Sequence, residues 1–215
     1  MLRSLVVVVA LAGAAHADVD LQAVVKAAPA CDASRAHCFG IRLHVAADDK
    51  ALVAGVDWIA EQLATANQQF AAIDVGFRLA GIDALPAAAF HIANRADRDE
   101  LASHRAGGTL IDVFVIGRLD DIDEPGAIAY GVTWHIKDGR KYILVSNAAM
   151  PRTLAHELGH FFGLPHSTYA ISIMNKKKRT DPPPEQRTFA PEEFAAMRKT
   201  LKRLLADKIV ADQAH

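Results

Sequence analysis

The chain has 215 residues, of which 51% are hydrophobic, and its formal net charge at pH 7 is −1. This length suits a single domain with a sizeable core. The nearly balanced charge gives no global basic surface, so we expect neither nucleic acid nor an acidic membrane surface as a partner.

The first residues predict a secretory signal peptide over residues 1–17. A short positive region around Arg3 precedes an apolar run over residues 5–14, and Ala15-His16-Ala17 has the A-x-A form of a cleavage site. The run is too short to span a membrane comfortably, which argues against a stable N-terminal anchor. We therefore expect cleavage after Ala17 and a secreted or periplasmic protein.

Residues 18–39 predict an N-terminal leader that contains both cysteines of the chain, Cys31 and Cys38. An even pair of cysteines in an oxidising compartment favours a disulfide between them. The alternative is that one thiol covers a metal ion in a latent form of the protein.

From residue 40 to residue 215 the hydrophobic periodicity predicts one α+β domain. The segments with a strand-like pattern are 40–46, 75–81, 109–117, 127–135 and Lys141–Ser146. The third of them is the most apolar and is expected to be central. The segments that predict helices are 52–70, with Asp48 or Asp49 as its N-cap, 97–104, and two that begin at Pro151 and Pro191.

An acidic loop is predicted over residues 118–126. Its carboxylates belong to Asp120, Asp121, Asp123 and Glu124. Such clusters of oxygen atoms suit a hard cation such as Ca²⁺. Their spacing matches no calcium-loop motif, so a solvated turn is the favoured interpretation and a structural Ca²⁺ ion the alternative.

The segment 156–166 fits the pattern H-E-x-x-H-x-x-G-x-x-H at every fixed position. His156 and His160 are four residues apart and therefore lie on one face of a helix. Gly163 can end that helix in the left-handed conformation, which lets His166 return towards the same ion. Three neutral imidazoles leave the fourth position of a tetrahedral Zn²⁺ ion open for water, which is the arrangement of a catalytic zinc site.

Glu157 directly follows the first predicted ligand and is placed to take a proton from the zinc-bound water. The alternative is an amphipathic core helix that happens to contain histidines. That interpretation explains neither Glu157 nor Gly163 nor the third histidine. The sequence therefore predicts one catalytic Zn²⁺ ion with Glu157 as its general base.

With this motif and the segment Ser172-Ile173-Met174-Asn175, the chain resembles the metzincin clan of zinc peptidases. Clan members carry a methionine-containing turn beneath the metal, and Met174 lies eight residues beyond His166. That short spacing, with Ser167 after the third histidine, is similar to matrixins. The active-site helix over residues 152–164 looks closer to the pappalysin-like bacterial enzymes.

The resemblance implies a metzincin-like catalytic domain: a mixed twisted β-sheet with a long backing helix, an active-site helix and a C-terminal helix. It implies a zinc endopeptidase that hydrolyses peptide bonds in protein or peptide substrates, with Gly163 and Met174 supporting the site. We expect a monomer. Residues 127–133 should form the edge strand above the cleft, where extended substrate pairs with the sheet. The predicted substrate contacts are Ala129, Tyr130 and Gly131. The aromatic side chains of Tyr130 and Trp134 could line the cleft, and the alternative, which is commoner for aromatic residues on a strand, is a position in the core.

Several features leave the function open. Lys176 stands where astacins and serralysins have a tyrosine zinc ligand. The basic segment 176–179 predicts a preference for acidic or phosphorylated substrate segments, with a solvated loop as the favoured alternative. One alternative function is an exopeptidase similar to archaemetzincins, whose four-cysteine zinc site this chain lacks. The other is a zinc-bearing binding or inhibitor module, in which Glu157 would be expected to be lost.

Overall fold

A computed structural model describes residues 14–47, 51–104, 108–137 and 139–213. Most of the predicted signal peptide, and the predicted helix cap at Asp48 or Asp49, lie outside the described residues. Among the described helices, none combines the length and the apolar character that crossing a membrane requires.

The described part of the chain forms a mixed α/β domain. Its elements in chain order are α1 (Ala14–Ala27), β1 (His37–Ala46), α2 (Val56–Phe70), β2 (Val75–Leu85), β3 (His91–Ile92), α3 (Arg95–Glu100), β4 (Ile111–Ile116), β5 (Arg118–Leu119), β6 (Gly131–His135), β7 (Lys141–Ser146), α4 (Thr153–Phe161) and α5 (Pro191–Ala206). The predicted strands and helices occur in the predicted order, and α5 begins at the predicted Pro191, whereas α1, β3 and β5 were not predicted.

The main sheet is twisted and mostly parallel, with the strand order β2-β1-β4-β7-β6. β2, β1, β4 and β7 all run parallel to one another, whereas β6 is antiparallel to β7. β4 is central, as its apolar sequence predicts, and all of its residues are buried. β6 lies at an edge of this sheet, so its outer backbone groups are open to an added strand.

Three predicted elements begin later than the sequence pattern indicates, because backbone hydrogen bonds place the preceding residues in loops or turns. α4 begins at Thr153 and not at the predicted Pro151, since the Thr153 N–H donates to the Met150 carbonyl at 2.9 Å. β6 begins at Gly131, and the preceding residues form a loop in which the Ala129 N–H donates to the Leu119 carbonyl at 2.9 Å. α2 begins at Val56, since the Val53 N–H donates to the Ala46 carbonyl at 2.9 Å and returns the chain to the end of β1.

Alternate residues of β4 pack into two hydrophobic cores, one on each face of the sheet. Val113 and Val115 belong to the larger core, with residues of α2, α4 and α5, while Phe114 and Ile116 belong to a smaller core on the other face. In the larger core, the Phe70 ring of α2 contacts three other phenylalanine rings edge-on at centroid distances of 5.0, 5.1 and 5.3 Å: Phe77, Phe162 and Phe189. This cluster joins α2 to the residue that follows α4.

The predicted disulfide between Cys31 and Cys38 is confirmed, with Cα atoms 6.0 Å apart. These are the two cysteines of the chain, so no thiol is left to cover a metal ion. The segment predicted as a leader packs on the domain: Val24 of α1 is buried in the larger core, and β1 begins at His37.

Candidate metal centre

Three histidines converge at the end of α4. His156 and His160 lie on this helix, and Gly163 follows it with a φ of +88°, the left-handed conformation predicted for it. The chain then turns so that one ring nitrogen of each of His156, His160 and His166 lies within 4.8 Å of the others. Across the described ranges, this is the one group of three His, Cys, Asp or Glu side chains close enough to hold a metal ion.

Backbone carbonyls fix the tautomers of two of these histidines. Nδ1 of His156 lies 2.8 Å from the Ile173 carbonyl, and Nδ1 of His160 lies 2.7 Å from the Leu164 carbonyl. A carbonyl oxygen only accepts, so each Nδ1 carries the proton and each Nε2 keeps the lone pair that a metal needs. Burial lowers the pKa of His156 to about 4 and also lowers the pKa of His160, so both rings are neutral.

The third histidine completes a donor set that fits Zn²⁺. Nε2 of His166 lies 3.1 Å from Nε2 of His160, and burial lowers the pKa of His166 to about 4. Three neutral imidazoles with carbonyl groups behind two of them are the ligands and supporting contacts of catalytic zinc sites.

Side chains from neighbouring elements hold both ends of α4. At its start, the side chain of Gln62 on α2 accepts the Leu154 N–H at 3.0 Å and donates to the Met150 carbonyl at 2.8 Å. At its end, the ammonium group of Lys141 on β7 donates to the Phe161 carbonyl. The helix with the first two histidines is therefore fixed to the backing helix and to the sheet.

Glu157 lies between α4 and β6 and is 4% exposed. The Thr133 hydroxyl lies 3.1 Å from its Oε2 atom and 2.7 Å from its backbone carbonyl. Burial raises the pKa of Glu157 to about 7, which suits a group that accepts and returns a proton near neutral pH. The strand can come this close because residue 131 is glycine: a Cβ atom there would lie 2.8 Å from Glu157 Cγ.

Met174 lies beneath α4 and is fully buried. Gly159 makes room for it, since a Cβ atom there would lie 2.7 Å from Met174 Sδ and 2.9 Å from a ring atom of Phe189. Ser172 shapes the turn: its hydroxyl donates to the Glu193 carboxylate at 2.6 Å and accepts the Met174 N–H at 2.9 Å. The first turn of α5, which contains Glu193, thus holds the methionine turn against the active-site helix.

The acidic loop does not support the structural Ca²⁺ ion. Asp121 accepts the N–H groups of Asp123 and Glu124 at 2.8 and 3.2 Å, which makes a turn. Asp120 pairs with Arg118 at 2.6 Å and with His91 at 2.9 Å. The carboxylates of Asp120 and Asp121 already have partners in the protein, and the solvated turn is the better interpretation.

A cleft of about 1380 Å³ opens over the histidines and Glu157. The predicted substrate contacts all line it: Ala129, Tyr130 and Gly131. Tyr130 is 45% exposed and lines the cleft, so the cleft position is the correct one of the two alternatives for this residue. Trp134 lines the cleft and also packs against the smaller core, where its indole N–H donates to Asp99 at 2.8 Å.

Three solved structures share the fold. Archaemetzincin from Methanopyrus kandleri has a TM-score of 0.54 and 19% identity, with 79% of this chain and 98% of that chain covered. Metalloproteinase-II from Bacteroides fragilis has a TM-score of 0.53 and 12% identity, covering 82% and 60%. A promirolysin mutant from Tannerella forsythia has a TM-score of 0.54 and 11% identity, covering 87% and 86%.

The chain has a metzincin-like fold. This fold was predicted from the motif and is confirmed. No protein-family profile and no curated protein sequence matches the chain. At these identities the likeness concerns the fold, so the particular similarities to matrixins and to pappalysin-like enzymes stay predictions.

The sequence did not identify three residues that shape this site. Thr133 was predicted only as the end of a strand, Gly159 occupies a variable position of the motif, and Gln62 belongs to the helical pattern of α2. Each acts across a distance in sequence: the Thr133 hydroxyl and Glu157, for example, are 24 residues apart. A glycine opposite a bulky core residue is a signal only once the packing partner is known.

Proposed function

We propose that the protein is an exported zinc-dependent endopeptidase that acts as a monomer on protein or peptide substrates. One observation carries the proposal: His156, His160 and His166 present ring nitrogens to one point, beside the buried carboxylate of Glu157. The likeness in fold to archaemetzincin and metalloproteinase-II supports it. A binding module would not need a buried carboxylate at this place.

Each residue of the site has its own part in the proposed hydrolysis. Zn²⁺ bound by the three histidines would acidify a water molecule and polarise the substrate carbonyl. Glu157 accepts the proton of the attacking water and later returns it to the leaving amine. Thr133 holds the Glu157 carboxylate, and the carbonyl acceptors of Ile173 and Leu164 hold the rings of the first two histidines.

The edge of the sheet supports an extended substrate. The outer side of β6 is open in the described sheet, and Gly131 at its start lines the cleft next to Glu157. A peptide that pairs with this edge is bound through its backbone, which is independent of side chains and of chain ends. Such binding favours cleavage within a polypeptide.

Export is supported by the sequence at residues 1–17 and by the disulfide between Cys31 and Cys38. The test is to express the full chain with its own N-terminus and to sequence the exported protein. We expect it to begin at Asp18. Protein that stays in the cytoplasm with Met1 in place would contradict export without affecting the proposed activity.

The activity is tested with casein and with a library of peptides blocked at both ends. We expect one zinc ion per chain by elemental mass spectrometry and cleavage of blocked peptides. A chelator should abolish cleavage and added Zn²⁺ should restore it. Glu157→Ala is the matched control, since it should keep the zinc and the fold but lose proteolysis.

The same assay separates the two alternatives. The first alternative is an exopeptidase, which would release terminal residues from unblocked peptides while leaving blocked peptides intact. A protein that binds one zinc ion and cuts neither kind of peptide would be a binding or inhibitor module. Either result would refute the proposed endopeptidase.

A further inference from the structure

One wall of the cleft carries three positive charges that form no ion pair with a described carboxylate, although Asp121 attracts one of them, Lys176, at longer range. Lys176, Arg179 and Arg187 line the cleft on the side of the methionine turn. The ion pairs among the described residues include none of these three cations. Building on the endopeptidase function, we propose that this basic wall binds a negatively charged substrate side chain next to the cleaved bond, so that the protein selects acidic peptides.

Arg179 gives the basic wall its shape. Its guanidinium group donates to four backbone carbonyls of the loop: Ala170 at 2.8 Å, Asn175 at 2.8 Å, Lys177 at 2.9 Å and Ser172 at 2.5 Å. Carbonyl oxygens satisfy the donors but carry no net charge, so the positive charge of Arg179 remains. The same contacts fix the backbone on both sides of Met174 and keep the wall beside the histidines.

Arg187 adds a second guanidinium group. Its Nε donates to the Pro182 carbonyl at 2.9 Å and its Nη2 to the Arg179 carbonyl at 2.7 Å, while Nη1 has no hydrogen-bond partner in the described structure. Burial, and after it the neighbouring charge of Arg187, lowers the pKa of Arg179. Both guanidinium groups line the same cleft, so an anion there would be attracted by both.

Lys176 differs from the other two cations of the basic wall, because its side chain forms no described hydrogen bond that stabilises the loop. Its side chain is exposed, lines the cleft and has no described hydrogen-bond or ion-pair partner. The three histidines and Glu157 line the same cleft as Lys176. A substrate side chain in this cleft can therefore meet the ammonium group.

Three carboxylates also line the cleft, and each already has a protein partner: Asp99 with Trp134, Asp121 with backbone N–H groups of its loop, and Asp123 with Arg95. Arg95 and Arg98 line the cleft beside them, so the charges there are mixed. The cations of the basic wall form no ion pair with a described carboxylate, so an acidic side chain should be attracted most strongly there. The preference should therefore concern one side of the cleaved bond.

The test compares blocked peptides that are identical except for one position, placed first on one side of the cleaved bond and then on the other. That position is Gln, Glu or phosphoserine, which distinguishes a carboxylate from a phosphate. We expect kcat/KM to be about tenfold higher for Glu than for Gln on one side only, since a partly desolvated charge pair contributes about 1.4 kcal/mol, or one factor of ten. High salt should reduce the difference.

Two variants assign the effect to the basic wall. Lys176→Gln should bring the Glu-to-Gln ratio close to one, and Lys176→Glu should reverse it. Lys178→Gln is the matched control, because Lys178 is exposed on the same loop but does not line the cleft, and it should keep the wild-type ratio. A wild-type ratio near one on both sides, or a ratio that neither Lys176 variant changes, would overturn the inference.

A binding measurement keeps this result separate from the proposed activity. The inactive Glu157→Ala protein loaded with Zn²⁺ should bind the Glu peptide more tightly than the Gln peptide, and Lys176→Gln in that background should remove the difference. Cleavage of blocked peptides without any Glu preference refutes the basic wall alone. Preferential binding without cleavage by the wild type refutes the endopeptidase and leaves the anion site.

Discussion

Replacing Thr133 by valine should slow proteolysis without removing zinc. The Thr133 hydroxyl is the described donor to the carboxylate of Glu157, at 3.1 Å from Oε2, and it also lies 2.7 Å from the Glu157 carbonyl. Valine keeps the shape of the side chain but has no hydroxyl. Glu157 is only 4% exposed. Without the Thr133 hydroxyl, its carboxylate would no longer be fixed in the position from which it is proposed to accept a proton.

The size of the effect follows from this geometry. A hydrogen bond to a charged group contributes about 1.5 to 3 kcal/mol. The single hydroxyl proton of Thr133 serves two acceptors, so the share of the carboxylate is about 1 to 2 kcal/mol. At about 1.4 kcal/mol for each factor of ten, kcat should fall fivefold to thirtyfold.

The assay measures kcat and KM separately on a blocked peptide, together with the zinc content of each variant. Most of the loss should appear in kcat, because Thr133 acts on the base and not on the substrate. Thr133→Ser keeps the hydroxyl without the methyl group and should recover most of the rate. Wild-type kcat in Thr133→Val with zinc intact would refute the role of the hydroxyl, and an equal loss in Thr133→Ser would assign the effect to packing.

Three further predictions concern stability. Gly159→Ala should lower the free energy of unfolding by about 1 to 3 kcal/mol in a denaturant titration, because its Cβ atom would lie 2.7 Å from Met174 Sδ. Burial lowers the pKa of Lys141 from 10.5 to about 8, so the folded state binds fewer protons than the unfolded chain between these values. Stability should therefore rise with pH across that window, by about 1 to 2 kcal/mol after allowance for its partial exposure, and Lys141→Met should flatten this part of the curve. Replacing Cys31 and Cys38 by serine should cost about 2 to 3 kcal/mol in thermal unfolding, because the bridge joins residues only seven apart; an unchanged midpoint would contradict this.

The convergence of the three histidines could be predicted because their spacing is local in sequence. The spacing of His156 and His160 places both on one helix face, and the glycine at 163 permits the left-handed turn that the structure has. Their supporting contacts could not be predicted, since Ile173 and Leu164 contribute backbone carbonyls that every residue type carries.

The strand and loop boundaries show another limit of sequence patterns. Residues 127–130 have the apolar pattern of a strand, but their hydrogen bonds connect them to β5 and to the end of β7. The basic run 176–179 likewise predicts a charged segment without showing how its members differ. Arg179 donates to four carbonyl groups of its loop, whereas Lys176 lines the cleft without a described hydrogen bond. Only tertiary contacts separate these two cations.

The contacts at the two ends of α4 have a consequence for how the protein responds to metal supply. The contacts of Gln62 and Lys141 fix this helix without any metal ion. The entropy lost in bringing the three histidines together is therefore lost when the chain folds and not when the ion binds. The domain should then lose and regain its ion without unfolding, unlike small zinc domains that collapse when the metal leaves. In a compartment where the concentration of free zinc varies, such a protein would stay folded but inactive without the ion, and it would become active when the ion binds.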